Sequence, residues 1–177
     1  EPLIFVEVAL TQNMPDAIAP LLTSQRHVLK GAQANTAVFY SISNCQAGLR
    51  GISFGHFLIK QVVEELRREW PKLTTFVTLS PVPDFAAWLD GECDSVARFH
   101  LGNGARLERI HWQGDLSKKG LAQAHGLMVN YLYELDDIEA NHEAFADRGE
   151  IITSADVRQL LKRKGSGLRA TPEASLG

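Results

Sequence analysis

Cysteine is scarce in this sequence: Cys45 and Cys93 are the only two among 177 residues. Two are too few for a disulfide framework and wrongly spaced for a zinc site, so a reducing compartment is the default. Basic charge is not in excess either. The 18 Lys and Arg stand against 21 Asp and Glu, a net charge of −3, which argues against a nucleic-acid partner, because such proteins displace counterions with a basic face. No apolar run is long enough to span a bilayer, and the opening Pro2–Leu10 lacks a basic leader and a cleavage signal, so no membrane partner is expected. The chain starts on Glu1, directly in a strand-like run; a fragment or processed product with a missing upstream segment is the expectation. Internal repeats are absent.

What is present suits one domain with a sizeable core, since 45% of the residues are hydrophobic and 22% charged. Leu3–Leu10 reads as a buried strand. Met14–Leu22 reads as a short helix with Pro15 near its first turn and Pro20 ending or bending it. Thr23–Asn35 is a polar connection. Strands at Ala37–Ser43 and Thr74–Ser80 flank a long helix, which makes a parallel, right-handed crossover. Asp84–Leu89 reads as one or two helical turns, and Ala97–Ala105 as a glycine-rich turn leading into Leu107–Trp112. Gly126–Leu135 is a late strand, with Asn130, Leu132 and Glu134 on one face and Tyr131 and Tyr133 on the other. Helical patterning covers Ile138–Ala146 and Ser154–Lys164, the second capped by Ser154 and burying Val157, Leu160 and Leu161. These elements imply an α+β fold with a mixed sheet over residues 1–164, followed by a disordered tail at 165–177.

The chain is organised around residues 35–70. A β-branched run ends in Gln46-Ala-Gly-Leu-Arg-Gly-Ile-Ser-Phe-Gly55 and enters a helix with Ile59, Val62, Val63, Leu66 and Trp70 on one face and Glu64 poised to pair with Arg67 or Arg68. A glycine-rich turn before a helix N-terminus is a ready anion site. The spacing is neither the Walker pattern nor the dinucleotide fingerprint.

The stretch from Phe39 through Gln46-Ala-Gly-Leu-Arg-Gly51 to Leu66 resembles the malonyl-CoA decarboxylase family, whose catalytic domain has the fold of the GNAT acetyltransferases. The resemblance continues in Thr78-Leu-Ser-Pro-Val-Pro-Asp-Phe85, Arg98-Phe-His-Leu-Gly-Asn-Gly-Ala105 and Gly126-Leu-Met-Val-Asn-Tyr-Leu-Tyr133. It implies a GNAT-like fold that takes malonyl-CoA as substrate and partner, with no cofactor beyond the coenzyme A thioester. It further implies a homo-oligomer in the full-length protein, located in the cytoplasm or alternatively the mitochondrial matrix. Coenzyme A binding falls on Arg50, Gly51, Ile52, Ser53, Phe54, Gly55 and His56. The family's catalytic serine falls on Ser80, its catalytic histidine on His100 and an active-site tyrosine on Tyr133.

By residue type alone, a histidine between Phe99 and Leu101 is more often structural, and a serine before proline is more often a turn residue. The resemblance reverses both readings. Losing carbon dioxide from a malonyl thioester leaves an enolate, which needs a positioned carboxylate and a proton. Ser80 is assigned to orienting or polarising the carboxylate and His100 to protonating the enolate.

The sequence departs from the family pattern in three places. Ser53 stands at a usually acidic position, Asp84 replaces a common glycine, and only nineteen residues, Pro81 to Phe99, separate Ser80 from His100 where the family carries a longer segment. Residues 91–94 are where a missing piece is expected. Two other readings stay open: an N-acetyltransferase using the same loop, and a non-catalytic acyl-CoA-binding or oligomerisation remnant.

Overall fold

The computed structural model describes residues 4–25, 29–44, 55–84 and 94–163. A six-stranded mixed sheet organises them. Strand β1 (Ile4–Thr11) runs antiparallel to β2 (Thr36–Asn44), and β2 runs parallel to β3 (Thr75–Thr78). The chain breaks its strand geometry at Leu79 and resumes as β4 (Ser80–Pro81). Beyond them, β5 (Arg106–His111) pairs antiparallel with β6 (Met128–Leu132), whose other edge takes β3 and β4.

Alternation along the strands divides the core in two. Ala37, Phe39, Phe76, Val129, Tyr131 and Tyr133 lie in one apolar cluster with residues of three helices: α2 (Gly55–Glu69), α3 (Ser95–Gly102) and α5 (Ile138–Arg148). Val38, Val77, Leu79, Met128 and Leu132 lie in the other, under the short helix α1 (Ala19–Leu22) and its approach. Ile59 and Val63 of α2 are fully buried, and Val62, Leu66 and Trp70 pack at the margin, so the apolar face read from the sequence is the face that docks. Each such buried aliphatic side chain is worth ~2 kcal/mol.

Several expectations are corrected. β1 is an edge strand with Phe5 exposed, because among the described strands only β2 pairs with it. Pro20 sits in the first turn of α1 and starts it, the position where a missing N–H costs nothing. Glu65, not Glu64, pairs with Arg68, three residues on, and both side chains are exposed. Residues 97–102 are helical, in α3. A helix α4 (Lys118–Ala124) capped by Ser117 was not foreseen. Ser154 does cap α6 (Ala155–Arg163), its Oγ accepting the Val157 N–H at 3.2 Å, and Val157 is buried, but Leu160 is exposed. The Asp84–Leu89 turns and the 165–177 tail lie outside the described residues, apart from Asp84 itself.

One irregularity positions the site. β2 and β3 stay in register from Thr36–Thr75 to Phe39–Thr78, and the last link between them is Leu79 N–H to Phe39 O at 3.1 Å. Past that point, among the described residues, Ser41–Asn44 pair only with β1, and Ser80–Pro81 only with β6. Pro81 has no N–H to offer a neighbouring strand. Two parallel strands therefore part at their C-terminal ends, the place where open α/β sheets receive ligands.

Candidate active site

Thr78 and Ser80 are two residues apart and face the same side of the sheet, the side on which Tyr131 and Tyr133 project from the neighbouring strand and its extension. Helix α3 brings His100 down onto that surface. Its N-terminus is fixed by Asp94, whose Oδ1 accepts the N–H groups of Val96 and Ala97, both at 2.9 Å. The other carboxylate oxygen accepts the Asp84 N–H at 2.8 Å. Asp84 in turn accepts from Ser95 N–H at 3.2 Å and Ser95 Oγ–H at 2.7 Å, which hold its carboxyl below the usual range. The chain leaving Ser80 is thus tied to the start of the helix that carries His100. At the other end of α3, Gly104 adopts φ +79°, and a Cβ there would lie 2.1 Å from Ile138 O, so only glycine lets the helix stop against α5.

A hydrogen-bonded chain results. Ser80 Oγ lies 3.1 Å from His100 Nε2, and His100 Nδ1 lies 2.8 Å from the Tyr133 hydroxyl. Ser80 Oγ also lies 2.9 Å from Thr78 Oγ1, which accepts the Tyr131 N–H at 3.2 Å. The imidazole stacks on Tyr131, with ring centroids 4.8 Å apart at 24°, and meets Phe99 and Tyr133 edge-on. Burial among these rings pushes the His100 pKa down to about 3 and raises that of Tyr133 well above 10. At neutral pH the imidazole is neutral and the phenol protonated. An uncharged, dry imidazole between two hydroxyls can pass a proton, and it gains a charge readily only if an anion arrives beside it.

The structure thus brings together Ser80, His100 and Tyr133. Ser80 opens β4 after the break at Leu79 and does not end a parallel strand; His100 sits on a buried helical face and not at a glycine turn. Arg50, Gly51, Ile52, Ser53 and Phe54 lie outside the described residues. Helix α2 begins at Gly55, so Gly55 and His56 form its first turn. Sequence reasoning missed Thr78, although its two-residue offset from Ser80 places it on the same strand face. Tyr131 was read as a neighbour of Tyr133; its ring is the surface on which the imidazole lies.

Comparison with known proteins matches the chain to the model of the malonyl-CoA decarboxylase C-terminal domain in two pieces, residues 1–94 and 90–171. The mitochondrial malonyl-CoA decarboxylase of Anser anser anser is 30% identical over 233 aligned positions, covering 89% of this chain and 46% of the relative. Since 89% of 177 residues is about 158, about 75 of those positions have no counterpart here. The two matched pieces meet at 90–94. The malonyl-CoA decarboxylase of Rhodopseudomonas palustris superposes with a TM-score of 0.84 at 49% identity, over 90% of this chain and 49% of that one. The GNAT-like decarboxylase GphF, in complex with isobutyryl-CoA, shares the fold alone, at 18% identity and a TM-score of 0.54. The chain spans about half the length of the malonyl-CoA decarboxylases it matches.

Proposed function

We propose that this chain, which belongs to the malonyl-CoA decarboxylase C-terminal domain family, carries an active site that converts malonyl-CoA to acetyl-CoA and carbon dioxide. The observation that carries the reading is the buried contact of Ser80 Oγ with His100 Nε2 at 3.1 Å, at the point where the parallel strands part. In the reaction the bond from the α-carbon to the carboxylate breaks. Its electron pair moves onto the thioester as an enolate, and carbon dioxide leaves. The enolate carbon then takes one proton, so substrate and proton become acetyl-CoA and carbon dioxide. The thioester carbonyl is itself the electron sink, so the step calls for no external nucleophile, redox partner or prosthetic group.

Ser80 directs the carboxylate out of the thioester plane. Its contribution is orientation, because a hydrogen bond to a carboxylate that loses its charge favours the ground state over the transition state. His100 is the proton source. The incoming carboxylate places a negative charge by the dry imidazole and raises its proton affinity at the moment of use. Tyr133, across the ring, holds the imidazole by its hydroxyl at Nδ1, and the proton that His100 delivers is replaced from solvent once product leaves. Arg50, Gly51, Ile52, Ser53 and Phe54, which precede α2 in the chain, together with Gly55 and His56 of its first turn, cradle the coenzyme A pyrophosphate beside the positive helix end.

We take the full-length protein to work as a homo-oligomer in the cytoplasm, with the mitochondrial matrix as the alternative compartment. Among the described residues no helix is long and apolar enough to cross a membrane. The test is release of carbon dioxide and acetyl-CoA from malonyl-CoA by the purified full-length protein. Folded protein that binds coenzyme A in a calorimeter without turnover supports an acyl-CoA-binding remnant instead.

A further inference from the structure

Four donors share the chain of hydrogen bonds at this site: the hydroxyls of Thr78, Ser80 and Tyr133 and the single N–H of neutral His100. Only three contacts join them, Thr78–Ser80, Ser80–His100 and His100–Tyr133. Among the described residues the one further contact of these hydroxyls is the Tyr131 main-chain N–H that Thr78 Oγ1 accepts. One proton is therefore left over, and its place matters, because a buried hydroxyl that donates to nothing keeps its full desolvation penalty.

Three distributions are open to a neutral imidazole. If Ser80 donates to Thr78, the unpaired proton is that of Thr78, which is 0% exposed. If Thr78 donates to Ser80 and Ser80 to Nε2, then Nδ1–H donates to Tyr133 and the phenol, 2% exposed, is left with no acceptor. If Tyr133 donates to Nδ1, Nε2–H to Ser80, and Thr78 also to Ser80, every deep donor is paired. The free proton then belongs to Ser80, at 6% the most exposed of the four groups and the one at the parting of the strands.

Thr78 is built for that task by a defect in the sheet. Between the Val77–Leu132 and Ser80–Val129 pairs the main-chain ladder is replaced by side chains. The Thr78 carbonyl is taken by Asn130 Nδ2 at 2.8 Å, and the Tyr131 N–H goes to Thr78 Oγ1. A threonine oxygen that already accepts a main-chain N–H, in a rotamer restricted by β-branching, has the 2.9 Å contact to Ser80 Oγ as the place for its own proton.

We propose that Thr78 is a positioning residue: with His100 it donates to Ser80 Oγ, so that the serine presents its own proton to the ligand. This rests on the decarboxylase reading for its kinetic consequence but not for its hydrogen-bond arrangement, and the two are tested apart. In the full-length protein, Thr78→Val lowers kcat about tenfold to a hundredfold with KM for malonyl-CoA little changed, the size of effect that misaimed groups produce. Thr78→Ser restores kcat to within about threefold, since it keeps the hydroxyl. A folded Thr78→Val protein with wild-type kcat overturns the proposal. Nitrogen NMR of labelled histidine in the wild-type protein needs neither turnover nor a folded variant: an Nε2–H tautomer at His100 with Nδ1 accepting supports the arrangement, and an Nδ1–H tautomer overturns it. If malonyl-CoA is not turned over by the wild type, the decarboxylase reading fails, and the tautomer still decides whether Ser80 Oγ accepts from His100 and so keeps its own proton for the ligand.

Discussion

The imidazole of His100 lies on the ring of Tyr131, 4.8 Å between centroids and 24° from parallel. The stack fixes the plane of the imidazole, leaving its two nitrogens pointing at Ser80 and Tyr133, and it excludes water from one whole face. That dryness is what sets the protonation state of the site.

The first prediction is therefore about pH. The His100 pKa is about 3 when folded against 6.5 when free, so kcat/KM should show no inflection near 6.5 and stay level between about pH 5 and 8. Stability should behave differently. Between the two pKa values the unfolded chain binds the extra proton, so His100 favours the fold fully above 6.5 and less with each step towards about 3. The loss is at most ~1.4 kcal/mol per pH unit. Urea midpoints across this range, compared with His100→Gln, check it.

Replacing the histidine itself separates chemistry from packing. His100→Ala should lower kcat by about 100-fold or more, the usual weight of a positioned acid–base group. His142 is the control. It is exposed, and its Nδ1 meets the Gly102 carbonyl on the far end of α3, so His142→Ala should keep kcat within about twofold, as surface substitutions generally do.

Tyr133→Phe removes one hydroxyl and little volume. Losing the 2.8 Å contact to His100 Nδ1 should lower kcat about tenfold, the equivalent of one hydrogen bond of ~1.4 kcal/mol. Steady-state kinetics on the folded variant measure this; an unchanged kcat assigns the phenol to packing alone.

Asp94→Ala removes a helix cap and the tie to Asp84 at once. The expected cost is about 2–3 kcal/mol in denaturant unfolding, together with a fall in kcat, because Ser80 and His100 are no longer joined by a second route. Asp94→Asn keeps the Oδ1 cap geometry and should recover most of the stability.

How much of this was legible in the sequence depends on the kind of signal. The apolar stripe of α2 and the alternation of Tyr131 with Asn130 are periodic, and both read correctly because each face buries against a continuous partner. Helix α3 was read as a turn because Gly102 and Gly104 dominate its end, although Asp94-Ser95 ahead of Val96, Phe99 and His100 is an N-cap signal. β1 looked fully buried by composition, whereas burial is decided by which strands flank it. Thr78 escaped notice because a two-residue offset matters only once Ser80 is known to lie on the same strand face. The break at Leu79, which opens the sheet, has no local signature except the proline two positions later.

The tie between Asp84 and Asp94 has a bearing on how such chains vary in length. Asp84 and Asp94, the described residues on either side of that stretch, meet at one carboxylate, so its two ends are held at a fixed distance whatever its length. Enlarging a loop of that kind costs only ~0.6 kcal/mol for each doubling. The goose enzyme has about 75 aligned positions without a counterpart in this chain, and any that fell between these two ends would add little cost. The serine and the histidine on either side of the anchor need not move.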